Sequence, residues 1–223
     1  MIKKYNHILI FVLFLLIAIN VSAQVPCSGT ASISPNGTIT INGVTVTSVS
    51  TRAVVQYAPA FSGCASLSPN SLLVGKHVTA SDGTPAPWSI TLTFDKPVND
   101  LVLLLAGGGR ISTGYNENFI FNGNNGPIST SSSEYCNAST AGNVIDLWSA
   151  GSQEGGGKFK VHSTRPFTQL VINGSGGANG SYLGICSESI NAVPPKCFIS
   201  NANSTTGWKA KVYDAPDMNA WAQ

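Results

Sequence analysis

The chain has 223 residues, 12 of them basic and 10 acidic, with about a tenth of the sequence charged and a formal charge of +2. Two of the basic residues, Lys3 and Lys4, sit in an N-terminal leader, so the rest of the chain is formally neutral. That balance excludes the basic footprint that nucleic acid or an anionic membrane surface requires, and about two hundred residues suffice for one well-packed domain.

Residues 1–23 read as a secretory signal peptide: the two lysines, an apolar run from Ile8 to Ile19, then Val21-Ser22-Ala23 before Gln24. The run is about a dozen residues, short of the roughly twenty that cross a bilayer. The expectation is cleavage, no transmembrane segment in what remains, and a protein secreted or held at the cell surface. In that oxidising setting the five cysteines can pair. Spacing does not fix the connectivity. Cys27 with Cys64 and Cys136 with Cys186 is the expected arrangement, because all four lie in the strand-patterned region, and Cys197 is left over beyond Pro194-Pro195. There is no C-x-x-C and no Cys/His cluster, so zinc is not expected.

From Gly37 the pattern has period two. Ile39 and Ile41 alternate with threonines, Asn42-Gly43 signals a hairpin turn, and Val44 and Val46 continue on the far side. Trp88, Ile90, Leu92 and Phe94 alternate with Ser and Thr as a half-buried strand, which places Trp88 in the core. Asp95-Lys96-Pro97 is expected to break that strand. Leu101 to Ala106 then reads as a short strand buried on both sides. Further short strands are expected near Phe119, Ile145, Val161, Val171 and Ile185, each bounded by Gly, Asn, Pro or Ser.

Tyr57 to Asn70, Asn122 to Thr140 and Gly174 to Gly180 read as loops. No stretch between Gln24 and Val193 carries a helical apolar period. The fold class is therefore all-β: a single antiparallel β-sandwich over 24–193, jelly-roll-like, of about eight to ten strands. Residues 194–223 form a linker and short tail, too short for a core of their own, either docked or opening a further module.

Gly151 to Val161, GSQEGGGKFKV, superficially suggests a phosphate-binding loop. The glycine spacing is off by one, Phe159 stands where a hydroxyl is needed, and Lys158 to His162 alternates as a strand rather than opening a helix. The expectation is a flexible turn between two strands.

The succession ITLTFDKPVNDLVLLLAG, ENFIFNG, FKVHSTRPFTQLVINGSG and SYLGIC resembles the sandwich domains of secreted, adhesin-like surface proteins of Gram-negative gliding bacteria. The likeness covers Trp88 to Cys186, and the tail CFISNANSTTGW is similar to the start of a segment that follows such domains. The resemblance implies an extracellular, non-catalytic role in adhesion or glycan contact, with no specific ligand. Relatives carry an Asp-x-Asp after the core strand where this chain has Ala106-Gly107-Gly108-Gly109-Arg110. Any metal those acids hold has no counterpart at that position here.

The chemistry is sparse. Beyond the leader only His77 and His162 remain, neither in a metalloprotease motif, and no G-x-S-x-G occurs. His162, in phase with Lys158 and Lys160, is expected to be an exposed surface histidine. Scattered carboxylates (Asp82, Asp95, Asp100, Glu117, Asp146, Glu154) leave a glycosidase pair conceivable, although Asp82 and Asp100 suit turns and Asp146 suits a solvent-facing strand position.

A structural calcium would find its best ligand in Glu117, within Tyr115-Asn116-Glu117-Asn118. For a sugar, exposed aromatic rings supply stacking faces and polar side chains bond the hydroxyls. The candidates are Trp148, Tyr115 and Tyr135 with Asn118 and Arg110. Trp148 shares parity with Asp146 and so is placed outward, with roles at the sandwich edge, in the core, or against a ligand all open. The expected function is a non-catalytic glycan-binding or adhesion module; the alternatives are a structural spacer in a larger surface protein and a jelly-roll carbohydrate-active hydrolase or lyase.

Overall fold

The computed structural model describes residues 27–51, 54–56, 61–62, 66–67, 71–75, 87–108, 117–150, 153–175, 180–194, 197–203 and 207–213. Residues 1–26, where a signal peptide was expected, lie outside the described residues, as do Cys64, Arg110 and Tyr115. Among the described residues every regular element is a strand apart from one short 3-10 turn, which makes the fold all-β, with its strands paired antiparallel.

The hairpin forms as its turn residues demand. Gly37–Ile41 (β1) and Val44–Ser50 (β2) pair across Asn42 and Gly43, whose φ values of 51° and 71° give the turn that matches strand twist. Short strands follow at Val54–Gln56 (β3), Phe61–Ser62 (β4), Ser66–Leu67 (β5) and Leu72–Val74 (β6). Pro87–Gly108 (β7) runs unbroken through Asp95-Lys96-Pro97, where a break was expected. After Glu117–Gly123 (β8) come Ile128–Cys136 (β9), Ala138–Ala141 (β10) and Val144–Leu147 (β11).

Two of these strands occupy the stretch read as a loop from Asn122 to Thr140. Of the β9 side chains only Ile128 is a buried hydrophobic. The strand is held by its ladder to β12 rather than by apolar alternation, so periodicity could not announce it. Gly155–Ser175 (β12) joins two segments expected to be separate, and Ser181–Ile185 (β13) leads to the 3-10 turn Ser187–Ser189. Cys197–Asn203 (β14) and Gly207–Tyr213 (β15) pair only with each other, so the tail holds a hairpin.

β7 and β12 pair along almost their whole length and bend together. Before the bend, β7 pairs with β2 and β12 with β8; beyond it, β7 pairs with β13 and β12 with β9. One leaf therefore runs β1-β2-β7-β12-β8-β11-β10 and the other β9-β12-β7-β13-β6-β3, with the two long strands shared. Register shifts between His162, Phe167 and Gln169 mark the corner on β12, opposite Val98. Bulged strands that switch sheets make such corners. Pro97 and Pro166 fall there because a bulge tolerates residues that cannot donate to the ladder.

The bulge also changes phase. Trp88, Ile90, Leu92 and Phe94 point into the same core as Leu101, Leu103 and Leu105, a switch from even to odd positions. Phe94 and Phe167 meet edge-on at 6.0 Å where the leaves fold together, a contact worth about 1 kcal/mol beyond its buried area. Val102, Leu104 and Ala106 face the other way and pack with Tyr182 and the Cys27–Cys186 disulfide, so this half of β7 is buried on both sides as its composition indicated.

That disulfide overturns both expected pairings, Cys27 with Cys64 and Cys136 with Cys186. The N-terminal segment runs antiparallel to the end of β13, with Thr30 bridging Cys186 and the Ala31 N–H donating to the Ile185 carbonyl at 2.7 Å. This brings two cysteines 159 positions apart to a Cα separation of 5.4 Å. Cys136 is disulfide-bonded as well. Among the described residues no helix is long and apolar enough to cross a membrane.

Candidate functional site

β11 alternates strictly. Ile145 and Leu147 are fully buried, so Val144 and Asp146 point outward, half-buried. The register sets Asp146 beside Ser139 of β10 on one side and Asn118 of β8 on the other. Directly opposed residues on one face stand about 5 Å apart at Cβ, so a carboxylate, an amide and a hydroxyl form one row. The ladder continues one step past β11, where the Trp148 N–H donates to the Asn137 carbonyl at 3.0 Å. Trp148 therefore keeps the outward phase of Asp146, and its side chain is half-buried.

Several local features hold this corner. Asn137 takes a positive φ of 46° between β9 and β10, a backbone shape that asparagine accepts more readily than most residues. Its side-chain amide donates to the Gln153 carbonyl at 3.0 Å. Ala150 and Gln153 exchange backbone hydrogen bonds of 3.0 and 3.2 Å, closing a tight turn after Trp148. Gly155 then passes so close that a Cβ would lie 2.6 Å from the Trp148 carbonyl oxygen.

Gly155, Gly156 and Gly157 are all buried and begin β12. They are not the flexible turn expected from the sequence. A Cβ on Gly156 would come within 2.6 Å of the Leu105 carbonyl, and one on Gly157 within 2.7 Å of Tyr135 Cα. Close approach of three backbones is what requires glycine here.

Burial raises the Asp146 carboxyl above its ordinary value. Among the described residues its carboxylate has no hydrogen-bond or ion-pair partner. A partly desolvated acid beside an amide, a hydroxyl and an indole can accept hydrogen bonds from a polar ligand.

The other residues named from sequence scatter. Glu117 and Asn118 adjoin in the chain but face opposite ways. Glu117 is buried on the core side, where its carboxylate accepts a hydrogen bond from the Ser181 hydroxyl, tying β8 to β13. Among the described residues no three acidic, histidine or cysteine side chains gather as a metal site. Tyr135 lies on β9 opposite Gly157, 56% exposed, in the other leaf from Asp146. Trp88 is core, edge-on to Phe119 at 5.4 Å.

His162 is more than a lone surface histidine. Its Nδ1 lies 2.7 Å from Asp100 Oδ1, and Lys160 Nζ reaches the same oxygen at 3.1 Å. Ser129 stands across from His162 on β9, but its hydroxyl donates to the His162 main-chain carbonyl at 3.3 Å rather than to the ring. Sequence reasoning missed this group because it depends on the register between β7, β9 and β12.

Comparison with protein-family models, with curated proteins and with solved structures gives no match for this chain.

Proposed function

We propose that the chain is a secreted or cell-surface, non-catalytic binding module that contacts glycans through the outward row of β10, β11 and β8 and the adjoining Trp148. The observation that carries this function is the Asp146 carboxylate, raised in pKa by burial and unpartnered among the described residues, in line with Asn118 and Ser139. A carboxylate and an amide are suited to bonding vicinal hydroxyls, and an indole supplies the apolar face a sugar ring stacks on. Export is supported by the disulfide chemistry, since such bonds persist in oxidising compartments, and by the leader pattern. The resemblance to adhesin-like sandwiches points the same way.

A glycan array with the purified protein tests the proposal. Retention of a defined sugar class is expected, with Trp148→Ala weakening it about thirtyfold, the loss of roughly 2 kcal/mol typical of a tryptophan anchor. An array with no retained sugar would instead leave a structural spacer. Release of reducing ends from polysaccharides would make the protein an enzyme.

A further inference from the structure

Among the described residues, the β1 hairpin leaves one sheet edge unpaired. The Thr45 N–H of β2 donates toward β7, to Asp95 Oδ1 at 2.7 Å, which fixes the phase of the β2 ladder. Val44, Val46 and Ser48 therefore bond β1, through Ile41, Ile39 and Gly37. The amides and carbonyls of Thr38 and Thr40 then point away from the sheet, and among the described residues nothing bonds them. Sheet edges are normally protected by lysine, proline or a bulge. β1, reading GTITI, has no charge, no proline and no register shift. Ile39 and Ile41 pack on the core yet remain only partly buried at this rim.

We propose that β1 pairs antiparallel with β1 of a second copy of this chain. The edge is self-complementary about Ile39: Thr38 faces Thr40 of the other copy and Thr40 faces its Thr38. Four backbone hydrogen bonds close across a two-fold axis. No like charges oppose each other, because β1 has none, and Ile39 gains a second Ile39 as its cover on the core side. The outer face already carries hydroxyl pairs, Thr38 with Thr47 at 3.1 Å and Thr40 with Thr45 at 3.4 Å, and the seam continues that array.

The pairing would extend the leaf that ends in β8, β11 and β10. Two Trp148–Asp146 patches would then lie at its far ends, on the order of 50 Å apart from strand spacing alone, which gives a bivalent binder.

Light scattering of the purified protein over a concentration series is the test. The expected mass is that of two chains, falling to one on dilution. Thr40→Pro removes two of the four hydrogen bonds without touching a backbone donor used inside the hairpin, and is expected to weaken dimerisation about thirtyfold. Should that variant fail to fold, Ile39→Cys serves instead, since under oxidation it is expected to form a covalent dimer beyond any that the unsubstituted protein, with its own odd cysteine, forms under the same conditions. A mass of one chain at the highest soluble concentration overturns the proposal. So does a dimer indifferent to Thr40→Pro in a folded variant, or one that Ile39→Cys does not cross-link. The glycan array reports on the other edge of the leaf, so either idea can fail without the other.

Discussion

Breaking the Cys27–Cys186 bond should remove several kcal/mol of stability. Cys27→Ser is the informative change, because it leaves the sulfur of the fully buried Cys186 in place and opens no void. The bond closes a loop with a sequence separation of 159, for which the chain-entropy relation gives about 5 kcal/mol at 25 °C. Cys136 takes part in a second cross-link, which shortens the effective loop. The dependence is logarithmic, and even halving the loop lowers the figure by only about 0.6 kcal/mol. Native-state contacts soften the loss. The segment is also held by the Ala31 to Ile185 hydrogen bond, by Ser28 on the Glu188 carboxylate, and by buried Ala31 and Ile33. A loss of about 3–5 kcal/mol is expected in urea unfolding, read as a lower midpoint. The denaturant slope rises slightly, because the freed denatured chain exposes more surface. A loss below about 1 kcal/mol would refute the account, since the bond would then hardly constrain the denatured chain.

Asp146→Asn should stabilise the protein near neutral pH while weakening ligand retention. The folded pKa of Asp146 is raised, so its contribution is intact below the unfolded value of about 3.9 and is lost as pH rises through the folded one. Melting temperatures of wild type and variant should converge in acid and separate above it, and a variant less stable at pH 7 would contradict the assignment. Gly156→Ala places a Cβ 2.6 Å from the Leu105 carbonyl oxygen and should cost about 1–3 kcal/mol or more in the same unfolding assay. Gly29→Ala, with open space around it, should change stability by no more than a few tenths of a kcal/mol.

Where alternation was regular and local, residues translated directly into structure. The Asn42-Gly43 turn, the inward face of Trp88 to Phe94, the doubly buried Leu101 to Ala106 and the outward phase of Asp146 all follow from period two and turn chemistry. The bend shared by β7 and β12 was not legible. Pro97 and Pro166 each look like terminators taken alone, and only the successive register shifts where β7 and β12 pair around Val98 and Phe167 absorb them. β9 was hidden for a different reason. Its ladder is made of backbone groups that every sequence possesses, so a serine-rich strand clamped to β12 looks like a loop. The disulfide pairing failed because membership of the strand-patterned region says nothing about which cysteines meet, and the N-terminal segment came to rest on β13, 159 positions away.

The candidate site shows the same division. Trp148 and Asn118 could be named from composition, but Asp146, read as an ordinary solvent-facing acid, became its centre only once register set it between Asn118 and Ser139. Burial disfavours its ionised form, and among the described residues no cation offsets it. The fold explains Glu117 without any ligand, through the hydrogen bond from Ser181; it offers no such explanation for Asp146. This contrast is why the proposed binding role is assigned to the outer row of β10, β11 and β8, with Asp146 at its centre.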